Sequence, residues 1–554
     1  MKLKKDIEKI LSDFFGEEVF LSLEKDAARG DYATSIALKK AKELKKNPRE
    51  IAQDFIDKFP KNDFIERIDV AGAGFINFFL KPEAVQKELV RFNPEESFDY
   101  LKDDKVCIDF SHPNIAKPLH FGHFRSTVIG ESFVRILRHS GADVLADNYL
   151  GDWGTQFGKL IVAIRNWGDA EAIKADPIGE LVRLYRRFHD EAEKNPELEK
   201  QGAEEFRKME QEKNEENLRE WRWIIDVSLA HLQKFYDRID ANFDVIRGES
   251  YWEKYISESL KELKDKKVAK IDQGALVAFF GDESKLPPMI YRRSDGASLY
   301  QTRDIARIRY YENEDIDHLI YVVGSDQKLH FRQLIETAKM LGYKTKITHA
   351  TFGMIRLPEG KMSTRKGRVI ELDEVLDEAE NRACTILKER GVDFPDDELD
   401  ILKTQIAMGA IKFNDLSQNR THDIMFDWDK MLSFEGFSAP FLQYSHARAR
   451  SILRKAEGVD IKIGRLENEY EIELAKKILN FEQAVLLSAD TLKPNLLAEY
   501  LFELAGVFNR FYGNLNVLNA DDIEKSQRLY LIDVFTRTLK KGLSLLGIES
   551  PERM

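Results

Sequence analysis

Cysteine is almost absent from this chain of 554 residues, which carries only Cys107 and Cys384, far apart and without metal-ligand spacing. That excludes a disulfide scaffold and a cysteine metal cluster. It fits a reducing compartment, and a cytoplasmic location is expected. Long apolar runs are missing too, so no segment reads as membrane-spanning. Met1 to Phe15 alternates charged and apolar residues at helical spacing and has no apolar stretch of the secretory kind. A basic excess is also lacking: 97 acidic residues stand against 85 basic ones, a net charge of −12. Phosphate attraction favours Lys and Arg surfaces, so this balance does not advertise a nucleic-acid partner, although a total averages over faces and leaves room for a local basic patch. Finally, neither G-x-x-x-x-G-K-[ST] nor G-x-G-x-x-G occurs, which removes the two commonest phosphate-loop readings.

What is present is enough apolar material, 43% of residues, for several cores under a heavily charged surface. The length suits about three or four folding units. Residues 1–95 read as a small α+β unit, with helices at Asp6 to Phe15 and Thr34 to Leu44. In IDVAGAGFINFFL the period-2 apolar positions around Ala71-Gly72-Ala73-Gly74 predict two strands and a tight glycine turn. Residues 96–395 alternate strand and helix. Val106 to Phe110, Val144 to Tyr149, His318 to Val323 and Thr348 to Leu357 read as strands. Arg125 to His139, closed by Gly141, and Phe331 to Leu341 read as helices. Such units build a parallel sheet with ligands at the carboxyl ends of its strands. An insertion around 155–290 interrupts them, and its charged stretch Glu171 to Arg238 reads as solvated helix. Residues 396–554 read as all-α, with apolar residues at helical steps in Leu402 to Asn414, Ala439 to Ala456, Glu471 to Ser488, Leu496 to Tyr512 and Arg528 to Leu546.

Two short segments carry the chemistry. His120-Phe121-Gly122-His123 lies between a strand and a helix. Imidazoles there can donate to phosphate oxygens, the glycine lets a base or ribose approach the backbone, and the helix N-terminus favours an anion. By itself H-x-x-H also describes ordinary histidines or two metal ligands. The second segment is Lys361-Met362-Ser363-Thr364-Arg365-Lys366-Gly367, where cations and small hydroxyl residues suit a polyphosphate. Alone it is a solvated charge run.

Together they resemble the His-Ile-Gly-His and Lys-Met-Ser-Lys-Ser signatures of class I aminoacyl-tRNA synthetases. FSHPNIAKPLHFGHFRST, SLYQTRDIA, VGSDQKLHF and MSTRKG are similar to the arginine enzymes. GDYATSIAL and GFINFFL resemble that family's additional N-terminal domain, and QYSHARARSI and GIESPERM the end of its anticodon-binding domain, so the likeness spans the chain. It implies an α/β Rossmann-type catalytic domain with a helical insertion, a small α+β N-terminal domain contacting tRNA, and an all-α anticodon-binding domain. It implies an arginine–tRNA ligase that uses ATP, with Mg2+ held mainly by the nucleotide and no protein metal site, working as a monomer on tRNA(Arg).

The resemblance also implies roles, residue by residue. His120, Gly122, His123, Lys361, Met362 and Ser363 match the ATP site. Asn114, His123, Tyr300, Asp304 and Gln327 match contacts to arginine, with Tyr300 and Asp304 on its guanidinium. Where the usual phosphate loop has a second lysine, Thr364 stands here. Lys117 matches a lysine thought to compensate, and Lys366 is the other candidate. His112 occupies a place where relatives carry serine or alanine, which leaves its role open. Tyr444, Arg448 and Arg450, in a basic cluster with Arg454 and Lys455, are expected on tRNA, and Asp415 to Trp428 is a further expected contact. The competing reading is a non-catalytic RNA-binding paralogue. Retention of His120, His123 and Lys361 speaks against it.

Overall fold

The amphipathic N-terminal run folds as helix α1 (Lys2–Phe15) in a computed structural model of the protein, which describes residues 2–23, 29–117, 119–356, 372–391 and 394–554. Strands β1 (Ser22–Leu23) and β2 (Tyr32–Thr34), helices α2 (Ile36–Leu44) and α3 (Pro48–Lys58), strands β3 (Ile65–Ala71) and β4 (Phe75–Leu80), and helix α4 (Pro82–Arg91) complete the first unit. Its antiparallel sheet runs β1-β2-β4-β3. The predicted glycine turn joins β3 to β4. Gly74 has φ +133°, and a Cβ there would lie 2.7 Å from Pro48, so only glycine fits. Thr34, expected in a helix, instead ends β2 opposite Ile76. Helices α3 and α4 were not expected, although each opens with a proline in its first turn.

The central sheet uses β5 (Lys105–Asp109), β6 (Asp143–Asn148), β7 (Val245–Ile246), β11 (His318–Tyr321) and β12 (Lys346–His349), all parallel, in the order β12-β11-β5-β6-β7. From β5 the chain builds outward through β6 to β7, then returns to the other side for β11 and β12. The strand order therefore reverses between β5 and β11, where a parallel sheet opens its ligand crevice. Helix α5 (Phe121–His139) follows β5 and is buried along most of its length. Gly130 allows the close approach, because a Cβ would stand 2.2 Å from the Phe110 ring. Cys107 is buried within the sheet.

The excursion at 155–290 is double rather than single, because β7 returns to the main sheet inside it. Helices α6 (Thr155–Trp167), α7 (Ala170–Ala175), α8 (Pro177–Lys194), α9 (Glu197–Glu210) and α10 (Glu215–Arg238) form the first part. It has a core of its own around Leu184 and Phe188. The second part is α11 (Glu249–Asp265) and the antiparallel strands β8 (Ala269–Asp272), β9 (Ala275–Ala278) and β10 (Met289–Arg292). Helix α12 (Tyr300–Asn313) leads back to β11, and α13 (Lys328–Leu341) joins β11 to β12.

The strand expected from Thr348 to Leu357 is broken. After β12 the chain turns through Gly353, where a Cβ would meet the His422 carbonyl at 2.5 Å. Strand β13 (Ile355–Arg356) then pairs with β14 (Ile424–Met425) instead of the main sheet. The remaining elements are helical: α14 (Leu372–Glu389), α15 (Asp396–Leu416), α16 (Trp428–Met431), α17 (Ala439–Lys455), α18 (Glu469–Leu479), α19 (Phe481–Thr491), α20 (Pro494–Asn514) and α21 (Asp522–Leu545). The single helix expected over Glu471 to Ser488 breaks at Asn480, which lets Phe481 face Phe92, Phe98 and His139.

One buried ion cluster fixes α12 on the sheet. Arg307 Nη1 donates to Asp109 at 2.8 Å and Nη2 to Asp147 at 3.3 Å, and all three side chains are at most 1% exposed. Burial opposes ionisation of Asp109, yet Arg307 and His112 beside it win and hold its carboxyl at about 2. Replacing Arg307 with Met strands two buried carboxylates. We expect a loss of about 3–5 kcal/mol, seen in calorimetry as a thermal midpoint lower by on the order of 10 °C. Loss of the exposed Lys174–Glu171 pair is expected to shift it by less than about 2 °C.

Candidate functional site

The two sides of the crevice are the loop after β5 and the segment after β11. On the first side, His120 is the N-cap of α5. Its Nδ1 accepts the Gly122 N–H at 3.1 Å, and His123 Nδ1 accepts the His120 N–H at 3.3 Å. The two histidines thus form a reciprocal capping box, with rings stacked 3.7 Å apart. Gly122 is required by the cap itself, since a Cβ would lie 2.9 Å from the His120 ring. Burial lowers His120 and, with His120 and His112 nearby, pushes His123 down to about 3. Both rings are therefore neutral at pH 7. Because Nδ1 accepts, the proton of each sits on Nε2, giving two donors at a helix N-terminus, an arrangement suited to an anion.

The loop that delivers them is tightly held. Ser111, His112 and Ala116 all have positive φ, at 79°, 56° and 57°. Strained non-glycine residues of this kind persist only where surroundings dictate them. Ser111 is tied to Ser126, Thr127 and Tyr236. His112 Nε2 lies 3.0 Å from Asp109. Asn114 bridges to Gly151 beyond β6, and a Cβ at Gly151 would strike its Oδ1 at 2.7 Å. Lys117 holds its ammonium 5.3 Å from the Tyr185 ring, on the insertion side of the loop.

Helix α12 supplies the opposite charge. Tyr300 and Asp304 stand one turn apart, as the spacing predicted, with Tyr300 largely exposed and Asp304 mostly buried. The two cations beside Asp304 are engaged elsewhere: Arg303 with Glu253 at 2.6 Å, and Arg307 in the buried cluster. Sequence reasoning missed Glu249, which follows β7 in the first turn of α11 and reads locally as an ordinary acid at a helix start. It is buried. Burial, against the pull of Arg303 and with Asp152, Asp304 and Glu253 nearby, pushes its carboxyl up to about 8. Asp304 and Glu249 both act on the buried Tyr149 phenol. This end of the crevice is thus rich in carboxyl groups and suited to a cation. Gln327 is exposed in the short turn Ser325–Gln327 after β11.

Lys361, Met362, Ser363, Thr364 and Lys366 lie outside the described residues, but the segment leading to them does not. Arg125, one turn into α5, is buried and donates to the Gly353, His422 and Arg420 carbonyls, and it pairs with buried Asp415 at 2.9 Å. Met354 N–H and Arg356 both bond Asp423. The histidine helix, the strand before the lysine loop and the expected tRNA segment after α15 therefore share one node. Among the described residues no group of three His, Cys, Asp or Glu is placed to hold a metal ion.

At the C-terminal surface, Arg448 lies 4.8 Å over the Tyr444 ring, and Arg390 lies 4.3 Å over Phe434. Tyr444 and Arg448 line a cleft of about 720 Å³ with Phe394 and Arg454. Arg450 is engaged differently, since its Nε bonds Glu552 of the C-terminal tail. No described helix is long and apolar enough to cross a membrane.

Residues 1–80 match the arginyl tRNA synthetase N terminal domain, residues 85–428 the catalytic domain of class I tRNA synthetases (R), and residues 442–554 the DALR anticodon binding domain. An arginine–tRNA ligase of Fusobacterium nucleatum is 44% identical over 532 residues, 95% of this chain and 93% of that protein. One of Clostridium perfringens is 39% identical over 571 residues, 99% and 100% of the two. The Thermus thermophilus arginyl-tRNA synthetase structure superposes with a TM-score of 0.86 at 28% identity, covering 100% of this chain and 99% of its own. The Plasmodium falciparum structure gives 0.84 at 26%, with the same coverage.

The histidine cap is directly measurable. Nitrogen NMR of the imidazoles is expected to show His123 as the Nε2–H tautomer from pH 8 down to pH 5, because its protonation lies at about 3. A His123 signal titrating near an ordinary value of about 6.5 would contradict the cap.

Proposed function

The chain belongs to the arginyl-tRNA synthetase family and is a class I arginine–tRNA ligase, and from that premise we propose which residues carry the reaction. The enzyme activates L-arginine with ATP to arginyl-adenylate and transfers it to the 3′-terminal adenosine of tRNA(Arg). In the first step a carboxylate oxygen of arginine bonds the α-phosphorus and pyrophosphate leaves. That carboxylate is already ionised near neutral pH, so no general base is needed, and catalysis rests on alignment and charge stabilisation. In the second step the 2′-hydroxyl of the adenosine takes the acyl group, and AMP leaves.

The reading is carried by one observation: a donor pair at a helix N-terminus and a carboxyl-rich pocket flank the same switch point. His120 and His123 donate to the phosphates, Gly122 keeps them in place, and Lys117 and Lys361 supply cationic charge, with Met362 and Ser363 on the nucleotide. Lys366 is the alternative to Lys117 for the lysine missing at Thr364. Magnesium, held mainly by ATP, would supply further neutralising charge, and we assign it no side chain. Asn114, His123 and Gln327 hold the amino-acid end of arginine. Tyr300, Asp304 and the additional Glu249 receive the guanidinium, whose planar fork matches a carboxylate as lysine's ammonium does not. The domains divide as 1–95, 96–395 and 396–554. The protein works in the cytoplasm as a monomer. Tyr444 and Arg448 contact tRNA directly, and Arg450 does so after exchanging Glu552 for phosphate.

Charging assays with each of the twenty amino acids test the assignment, and acylation by arginine alone is expected. Glu249 must be ionised to bind a guanidinium, and its free-state carboxyl lies at about 8. Arginine affinity therefore strengthens as pH rises toward 8 and falls below it. The arginine KM is expected to rise about tenfold from pH 8.5 to pH 7, and Glu249→Gln to raise KM and flatten this profile. An unchanged profile in the variant removes Glu249 from the site.

Salt tests the tRNA surface. Affinity for tRNA is expected to fall with ionic strength, and Arg448→Ala to reduce the log–log slope by about 1. Tyr444→Ala is expected to weaken binding with the slope unchanged, because stacking releases no counterion. The reverse pattern would exchange their roles.

A further inference from the structure

His330 stands in the first turn of α13, one turn after Gln327, where α13 packs against α12. Its Nε2 lies 2.7 Å from Asp304 Oδ2, with the side chains only 25% and 15% exposed. Among the described residues this is the one hydrogen bond made by the Asp304 carboxylate. The cations next to it on α12 are turned away, Arg303 to Glu253 and Arg307 to Asp109 and Asp147. The histidine is itself on a fixed base. The adjacent Phe331 is buried and packs its ring 4.9 Å from Tyr321 and 4.2 Å from His349.

From this geometry we propose that His330 is a positioning residue for arginine selection, setting the plane of the Asp304 carboxylate before substrate arrives. The proposal rests on the reading of Asp304 as a guanidinium acceptor. A carboxylate on a helix can rotate, and a rotating one attracts any cation. A planar fork is favoured over a point charge only when the carboxylate plane is held. Each carboxylate oxygen has two acceptor sites. Oδ2 can take the imidazole N–H and one guanidinium N–H, and Oδ1 takes the second. The imidazole thus costs the acceptor nothing it needs and removes its rotational freedom before binding. His330 touches no reacting atom. Its effect is confined to the side chain it orients.

The test is steady-state charging of tRNA by the full-length enzyme, with arginine and ATP varied separately. His330→Ala is expected to raise the arginine KM on the order of tenfold, to leave the ATP KM within about twofold, and to narrow the preference for arginine over lysine. His330→Gln, which keeps an N–H near the Nε2 position, is expected to recover most of the loss. In an Asp304→Asn background, His330→Ala is expected to add nothing further, because the plane it holds is already gone. Several outcomes overturn the proposal. An arginine KM unmoved by His330→Ala while Asp304→Asn raises it shows that the carboxylate orients itself. Parallel rises in both KM values show a general structural role. A normal arginine KM in Asp304→Asn alone removes the guanidinium reading, and the proposal with it.

Discussion

The buried contact of Arg307 with Asp109 and Asp147 is the constraint on which the site depends. It joins the carboxyl ends of two neighbouring strands, β5 and β6, to the middle of α12, one turn beyond Asp304. Tyr311, one turn further on, also bonds Asp147. Asp109 is the last residue of β5, so the strained loop that delivers Asn114 and the histidine pair starts where the cluster ends. A charged cluster with no water around it is costly, and an apolar replacement of the same volume serves stability about as well. What it supplies is register. The helix that carries Tyr300 and Asp304 cannot slide by a turn on the sheet without leaving buried charges unpaired.

Around that anchor the crevice has two electrostatic poles. One is the capped start of α5, where both imidazoles are neutral and donate, so anion binding there needs no proton taken up. The other is the carboxyl-rich pocket of Glu249 and Asp304, where burial holds Glu249 protonated near neutral pH until a cation arrives. The two poles match, in sign, the proposed pairing of a phosphate-rich nucleotide with a guanidinium.

The C-terminal helices belong to the same mechanical unit. Arg125 binds three carbonyls from segments 353 and 420–422 and pairs with Asp415 of α15. The N-terminal unit docks on the C-terminal helices through Lys476–Asp31 at 2.7 Å.

Much of this was legible in the chain. The strands β5, β6 and β11, the glycine turn at 72–74, the histidine motif at a strand-to-helix junction and the one-turn spacing of Tyr300 and Asp304 all follow from neighbours in sequence, because turn conformations, caps and helical faces are decided within a few residues. The sequence by itself determined most strands of the central sheet, the helical C-terminal region and the reaction family. It did not reveal that Thr348 to Leu357 breaks at Gly353, where a carbonyl from residue 422 leaves no room. It did not reveal that Arg450 meets Glu552, that Glu249 lies within the electrostatic reach of Asp304, or that His330 hydrogen-bonds Asp304. Those facts arise from residues far apart in the chain, brought together by burial. Burial, with like-charged neighbours beside it, sets a carboxyl near 8 or an imidazole near 3, and local pattern carries no information about which distant groups will exclude the water.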